Sequence, residues 1–146
     1  MKILSPIIVI VLLTISSCAT GGAHAGPVTI STEQLEYVID RPITFEIRNT
    51  SGKRLLYWVQ IDRLGSDGEW YLTYTSLLGM RQDSEPAMAV LKSQERQTLF
   101  WLPTVDSQFR DLFDRTESRT FRLTLKYIET ENEVARSVEG KAFKLR

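Results

Sequence analysis

The chain of 146 residues has one cysteine, one histidine and no excess of either charge, with 18 Lys+Arg against 18 Asp+Glu. A single cysteine excludes an intrachain disulfide and any zinc or iron–sulfur site built from clustered thiolates. The single imidazole, His24, leaves little for His-dependent acid–base chemistry. Balanced charge gives no bulk attraction to nucleic acid or anionic lipid. The Gly-x-Ser-x-Gly nucleophile elbow does not occur. Nor does the Asp-x-Asp-x-Asp-Gly spacing of a calcium loop, so Asp67-Gly68-Glu69 reads as part of a hairpin turn. Met80 and Met88, with no His or Cys beside them, are too thin a ligand set for copper. The residues therefore lead to a non-enzyme, with no catalytic residue, no metal and no cofactor expected. What the chain does have is 42% hydrophobic, 10% aromatic and 25% charged residues, a globular composition of one-domain size.

The first residues read as an address. Met1-Lys2 is followed by Ile7-Ile8-Val9-Ile10-Val11-Leu12-Leu13-Thr14-Ile15, an uncharged run of nine residues. That is far short of the roughly 20 needed to span a bilayer, and it matches the apolar region of a secretory signal peptide. Ile15-Ser16-Ser17-Cys18 then resembles the bacterial lipobox, an aliphatic residue and two small ones before a cysteine. The resemblance implies cleavage before Cys18, a diacylglycerol thioether on its sulfur and acylation of the new amine. Several acyl chains hold a protein on a membrane where one would not. The resemblance implies a cell-envelope protein; in a Gram-negative bacterium, Ala19 after the cysteine resembles the outer-membrane sorting pattern, which implies a domain held on the outer membrane facing the periplasm. A competing cleavage follows Ala23-His24-Ala25 and would release a soluble protein. The expected organisation is a signal peptide over 1–17, a lipidated cysteine and Gly-rich tether over 18–27 and one folded domain over 28–146. A coil of that length holds the domain roughly 15–20 Å from the lipid. His24 lies in the tether, where nothing positions it as a base.

Beyond Pro27 the hydrophobic period is two. Ile43-Thr44-Phe45-Glu46-Ile47-Arg48 and Phe121-Arg122-Leu123-Thr124-Leu125-Lys126-Tyr127 alternate apolar with polar, as strands with one buried face do. In the stretch from Arg54 to Leu64, Leu55, Tyr57, Val59 and Ile61 form the candidate core face, and Leu56, Trp58, Gln60 and Asp62 face away. Asn49-Thr50-Ser51-Gly52-Lys53 and Gly65-Ser66-Asp67-Gly68 are turns. With Val28-Thr29-Ile30, Glu69 to Thr73, Arg96 to Leu102 and the closing stretch from Val134, about seven strands are predicted. One segment breaks the pattern: Phe109, Leu112 and Phe113 recur at helical spacing, which predicts a short crossover helix between Val105 and Arg115. Arg110, Arg115, Arg119 and Arg122 share a window with Asp106, Asp111, Asp114 and Glu117, which reads as a salt-bridged surface.

The order of these segments resembles single-domain bacterial immunoglobulin-like modules, including the BsuPI-type proteinase-inhibitor domain. Its marks are an opening Val-Thr-Ile strand, an alternating strand ending at Asn49, a Gly-bearing hairpin into Trp70 and then Phe121-Arg122-Leu123. The resemblance implies an all-β, antiparallel immunoglobulin-like sandwich. Where the family has Gly-x-Tyr-Arg this chain has Arg119-Thr120-Phe121-Arg122, so it lacks the tyrosine-corner hydroxyl.

The aromatic residues supply the candidate contact. Trp58, Phe100 and Tyr71 are expected to point away from the core, and on one shared face they would form an apolar patch fit for a partner, here an envelope protein. The alternative is cover by loop 75–92 or by the helix. A second expected contact is the final strand as an open edge for strand addition, with Lys141, Lys144 and Arg146 as protective charges. The functional expectation is a lipid-anchored binding or adaptor module. Its alternatives are a proteinase inhibitor working through loop 75–92 and a small-ligand or glycan binder.

Overall fold

The computed structural model describes residues 26–75, 88–105, 107–115, 117–130 and 132–146. The signal peptide, Cys18, His24 and Met80 lie outside the described residues, as does most of loop 75–92.

Among the described residues, ten strands form two sheets. In chain order they are β1 (Val28–Thr32), β2 (Glu36–Tyr37), β3 (Ile43–Asn49), β4 (Leu55–Leu64), β5 (Trp70–Thr75), β6 (Ala89–Leu91), β7 (Arg96–Trp101), β8 (Thr120–Ile128), β9 (Arg136–Glu139) and β10 (Phe143–Leu145). The first sheet runs β1-β3-β7, all antiparallel. The second runs β2-β10-β8-β4-β5, with β6 added to β4 and β9 to β8. A helix, α1 (Ser107–Arg115), fills the crossover between β7 and β8, preceded by a 3-10 turn at Pro103–Val105.

This connectivity is immunoglobulin-like. The opening segment starts in the first sheet as β1, then switches to the second, where β2 runs parallel to β10 through Lys144↔Glu36 and Leu145↔Tyr37. The second and fifth long strands of such a fold pair as β3 and β7, while the third and sixth pair as β4 and β8 over eight residues. Three strands beyond the expected seven come from features without a hydrophobic period. β2 and β6 are two and three residues long, and the closing stretch bends into β9 and β10. Gly140 allows that bend: its amide donates to the Leu123 carbonyl at 2.8 Å, and a Cβ there would sit 3.0 Å from the same oxygen.

Strand alternation builds the core. Leu55, Tyr57, Val59 and Ile61 of β4 and Phe121, Leu123 and Leu125 of β8 are all but inaccessible, as are Ile43, Phe45 and Ile47 of β3. Each such side chain contributes on the order of 1.5–3 kcal/mol by leaving water. The helix closes one end of the sandwich. Phe109 meets Trp101 edge-on at 4.8 Å between centroids and packs on Phe121 at 5.5 Å, with Phe113 beside both. Arg119 ends the helix, its guanidinium donating to the Phe113 carbonyl and lying 3.8 Å from the Phe113 ring.

The turns follow their local chemistry. Asn49 is fully buried, its amide nitrogen donating to the Lys53 and Lys92 carbonyls at 2.8 and 2.9 Å. Its side-chain oxygen accepts from the Ser51 amide and hydroxyl, so one side chain ties two loops. In the β4–β5 hairpin Gly68 takes φ +84°, a conformation costly for other residues. The final strand is not the open edge anticipated from its charges. β10 has β8 on one side and β2 on the other, and Ile39 and Arg146 extend the contact by a backbone bond of 3.0 Å.

Candidate functional site

A sandwich offers a partner its two outer faces, its edges and its loop ends. The outer face of the second sheet carries the even-numbered residues of β4 and β8. Here Asp62 is buried to 4% exposure although it points away from the core. Thr124 Oγ1 donates to Asp62 Oδ2 at 2.6 Å, Arg122 Nε donates to the same oxygen at 3.2 Å, and Gln60 Nε2 donates to Oδ1 at 3.0 Å. Arg122 also reaches Glu139 at 2.8 Å and lies 4.4 Å from the Trp70 ring. The centre of this face is thus occupied by a self-satisfied polar network. Two of the four arginines between 110 and 122 depart from the expected surface pairing. Arg122 pairs with Asp62 and Glu139 from other strands, and Arg119 caps the helix, so neither works as a surface bridge to its sequence neighbours.

The structure separates the three candidate aromatics. Trp58 is half-buried on the outer face of the second sheet, across from Lys126. Tyr71 belongs to the same sheet but stands opposite Arg63, which is itself opposite the buried Phe121 and so lies on the other side from Trp58. A register shift between Ile61 and Asp62 sets this alternation, and a period-two reading of β5 alone does not show it. The Tyr71 hydroxyl donates to Asp67, which also accepts from the Glu69 amide at 3.1 Å. Those bonds, the tyrosine's first, hold the Asp67 carboxyl below its ordinary range, and the carboxylate pushes the phenol up. Tyr71 is therefore tied into the hairpin. Phe100 lies on the first sheet, paired with Thr44, and points outward at 69% exposure. The expectation that each points off the core face holds for Trp58 and Phe100, but one shared patch does not exist. Two strands in different sheets share no face, whatever their alternation.

Among the large apolar side chains of the described strands, Phe100 is the most exposed. Around it the outer face of the first sheet is polar. The register sets Thr44 beside Phe100, then Ser31, Glu46 and Thr98 across the next row, then Thr29, Arg48 and Arg96. Arg96 and Glu46 form an ion pair on this face. Sequence reasoning selected Phe100 but not this surrounding set, because its members come from strands far apart in the chain. A second opening lies at the hairpin end, between Arg63, Gly65 and Ser66 on one side and Leu112, Arg115 and Ser118 on the other. Among the described residues no three or more His, Cys, Asp or Glu side chains gather as a metal site. No described helix is long and apolar enough to cross a membrane.

No protein-family model matches this chain, and no curated protein matches it. Among solved structures it is similar to a chain of the Salmonella enterica SafA pilin in complex with the SafB chaperone, at 15% identity and a TM-score of 0.42, over 81% of this chain and 52% of that one. It is also similar to the sporulation control protein Spo0M of Bacillus subtilis, at 11% identity and a TM-score of 0.37, over 81% of this chain and 48% of that one. The chain spans about half the length of either. Neither likeness bears on what this chain does.

Proposed function

We propose that this chain is a lipid-anchored binding module of the cell envelope, working without catalysis, with the outer face of β1-β3-β7 as its contact surface. One observation carries the reading: Phe100, 69% exposed, projects from the outer face of the first sheet near the end of its edge strand β7. Keeping an aromatic ring in water there gains nothing for the fold, and aromatic residues are frequent anchors of interfaces. The opposite outer face supports the same choice by contrast, since Asp62, Arg122 and Glu139 already satisfy one another there.

The lipobox-like Ile15-Ser16-Ser17-Cys18 supplies the location. An anchor confines the domain to a surface and raises its effective concentration toward other envelope components. The absence of catalysis rests on the sequence, whose only imidazole lies in the tether.

Cross-linking and pull-down from intact envelopes tests the reading, comparing wild type with Cys18→Ser and Phe100→Ala. A component captured by wild type and lost with either change is the expected result. Capture that persists in Phe100→Ala would remove this face as the contact. A wild-type N-terminus found unlipidated by mass spectrometry would remove the anchor.

A further inference from the structure

The outer face of the first sheet is not flat. Thr44 and Glu46 of the central strand β3 form its floor, with Ser31 and Glu33 on the β1 side and Thr98 and Arg96 on the β7 side, and Arg96 pairs with Glu46. The short Ser31, Thr44 and Thr98 beside the longer Glu33, Glu46 and Arg96 leave a hollow of about 270 Å³ over the strands. Phe100 stands next to it, across the ladder from Thr44 and two residues along β7 from Thr98.

We propose that this hollow binds a sugar ring of an envelope glycan; the proposal rests on the binding-module reading and names the ligand of the same face. Three arguments converge. A sugar presents hydroxyls that both donate and accept. The hollow answers with three hydroxyls of the same kind, carboxylates that accept and a guanidinium that donates. A sugar also presents an apolar C–H face, and the exposed Phe100 ring beside the hollow is a platform for it. Finally, the size and charge fit. The volume lies just under the roughly 300–1,000 Å³ of drug-sized sites, enough for one ring. Glu33 and Glu46 are balanced by Arg96 and the neighbouring Arg48, so nothing here selects an ion. Arg96 pairs with the Glu46 carboxylate at this hollow, so donor and acceptor stand side by side there. A protein partner is the less favoured occupant, because one aromatic within a charged and hydroxylated surround lacks the clustered apolar anchors of a protein interface.

The test titrates the detergent-solubilised full chain with the tetrasaccharides of N-acetylglucosamine, glucose and galactose, followed by NMR shifts of the Thr44, Thr98 and Phe100 amides. Saturable binding of at least one sugar is expected. It should weaken by about tenfold or more in Phe100→Ala and in Thr98→Arg, which fills the hollow from an exposed position. Leu72→Ala, on the other sheet, should bind as wild type does. Thermal midpoints of the variants should match wild type, and Phe100→Trp should restore binding if Phe100→Ala lowers the midpoint. No saturable binding to any of the three, or equal binding by Phe100→Ala and Thr98→Arg, overturns the proposal. A protein captured through Phe100 without sugar binding overturns it too, while leaving the binding-module reading in place. Loss of both fells the two together.

Discussion

The Tyr57 hydroxyl of β4 donates to Gln97 Oε1 of β7 at 2.6 Å, a bond across the core from one sheet to the other. Gln97 passes the link on, its amide nitrogen donating to the Val90 carbonyl at 3.2 Å. A polar bridge inside a sandwich fixes how the two sheets face each other, and here it joins the strand that carries Phe100 to the centre of the second sheet.

Burial, and secondarily the Glu95 carboxylate, push the Tyr57 phenol from 10.0 up to about 12. Below pH 10 the folded and unfolded chains both keep this proton. Between about pH 10 and 12 the unfolded chain releases it and the folded chain does not, so stability falls as pH rises through that window. Tyr57→Phe should remove this part of the slope. Chemical denaturation of both proteins across the window measures it, and identical slopes would contradict the assignment.

Asp62 and Arg122 should behave as a coupled pair. Their side chains are only 6% and 15% exposed; removing Arg122 leaves the Asp62 carboxylate with neutral donors alone, whereas removing Asp62 leaves Arg122 with Glu139. Asp62→Leu should destabilise the domain by about 1–3 kcal/mol, because Thr124 and Gln60 lose their acceptor while Arg122 keeps Glu139. The double variant with Arg122→Leu should cost clearly less than the sum of the single changes, because apolar replacement of a whole buried pair is often near neutral. Urea melts of the four proteins complete the cycle, and additive losses would refute the coupling.

Asn49→Ala should cost about 3 kcal/mol or more, since the Lys53 and Lys92 carbonyls and the Ser51 amide all lose their partner. Amide exchange should quicken in both loops at once, at residues 50–53 and 92–95. Quickening confined to one loop would show that Asn49 does not join them.

Much of the fold was legible because its long strands are wet on one side. Ile43 to Arg48 and Phe121 to Tyr127 alternate as expected, and Phe109 with Phe113 marks the buried stripe of α1. The switch of the opening segment from β1 to β2 was not legible, because backbone bonds such as Lys144 to the Leu35 carbonyl decide it and side chains do not. The site was legible one residue at a time. Alternation turned Phe100 outward, but the sheet it lies in, and the Ser31, Thr44 and Glu46 beside it, are products of pairing between distant strands. Asp62 shows the same limit. Its polar-face assignment was right, and its burial depends on Thr124 and Arg122, some sixty residues away.

The most direct test of the account asks which outer face meets the envelope. A photoreactive residue is placed at position 100 on the first sheet or at position 72, where Leu72 is 58% exposed and paired with Asp62 on the second. Irradiating living cells and resolving the adducts compares the two faces in one experiment. The account predicts a discrete adduct from position 100 and none from position 72. Adducts from position 72 alone, or equally from both, would contradict it.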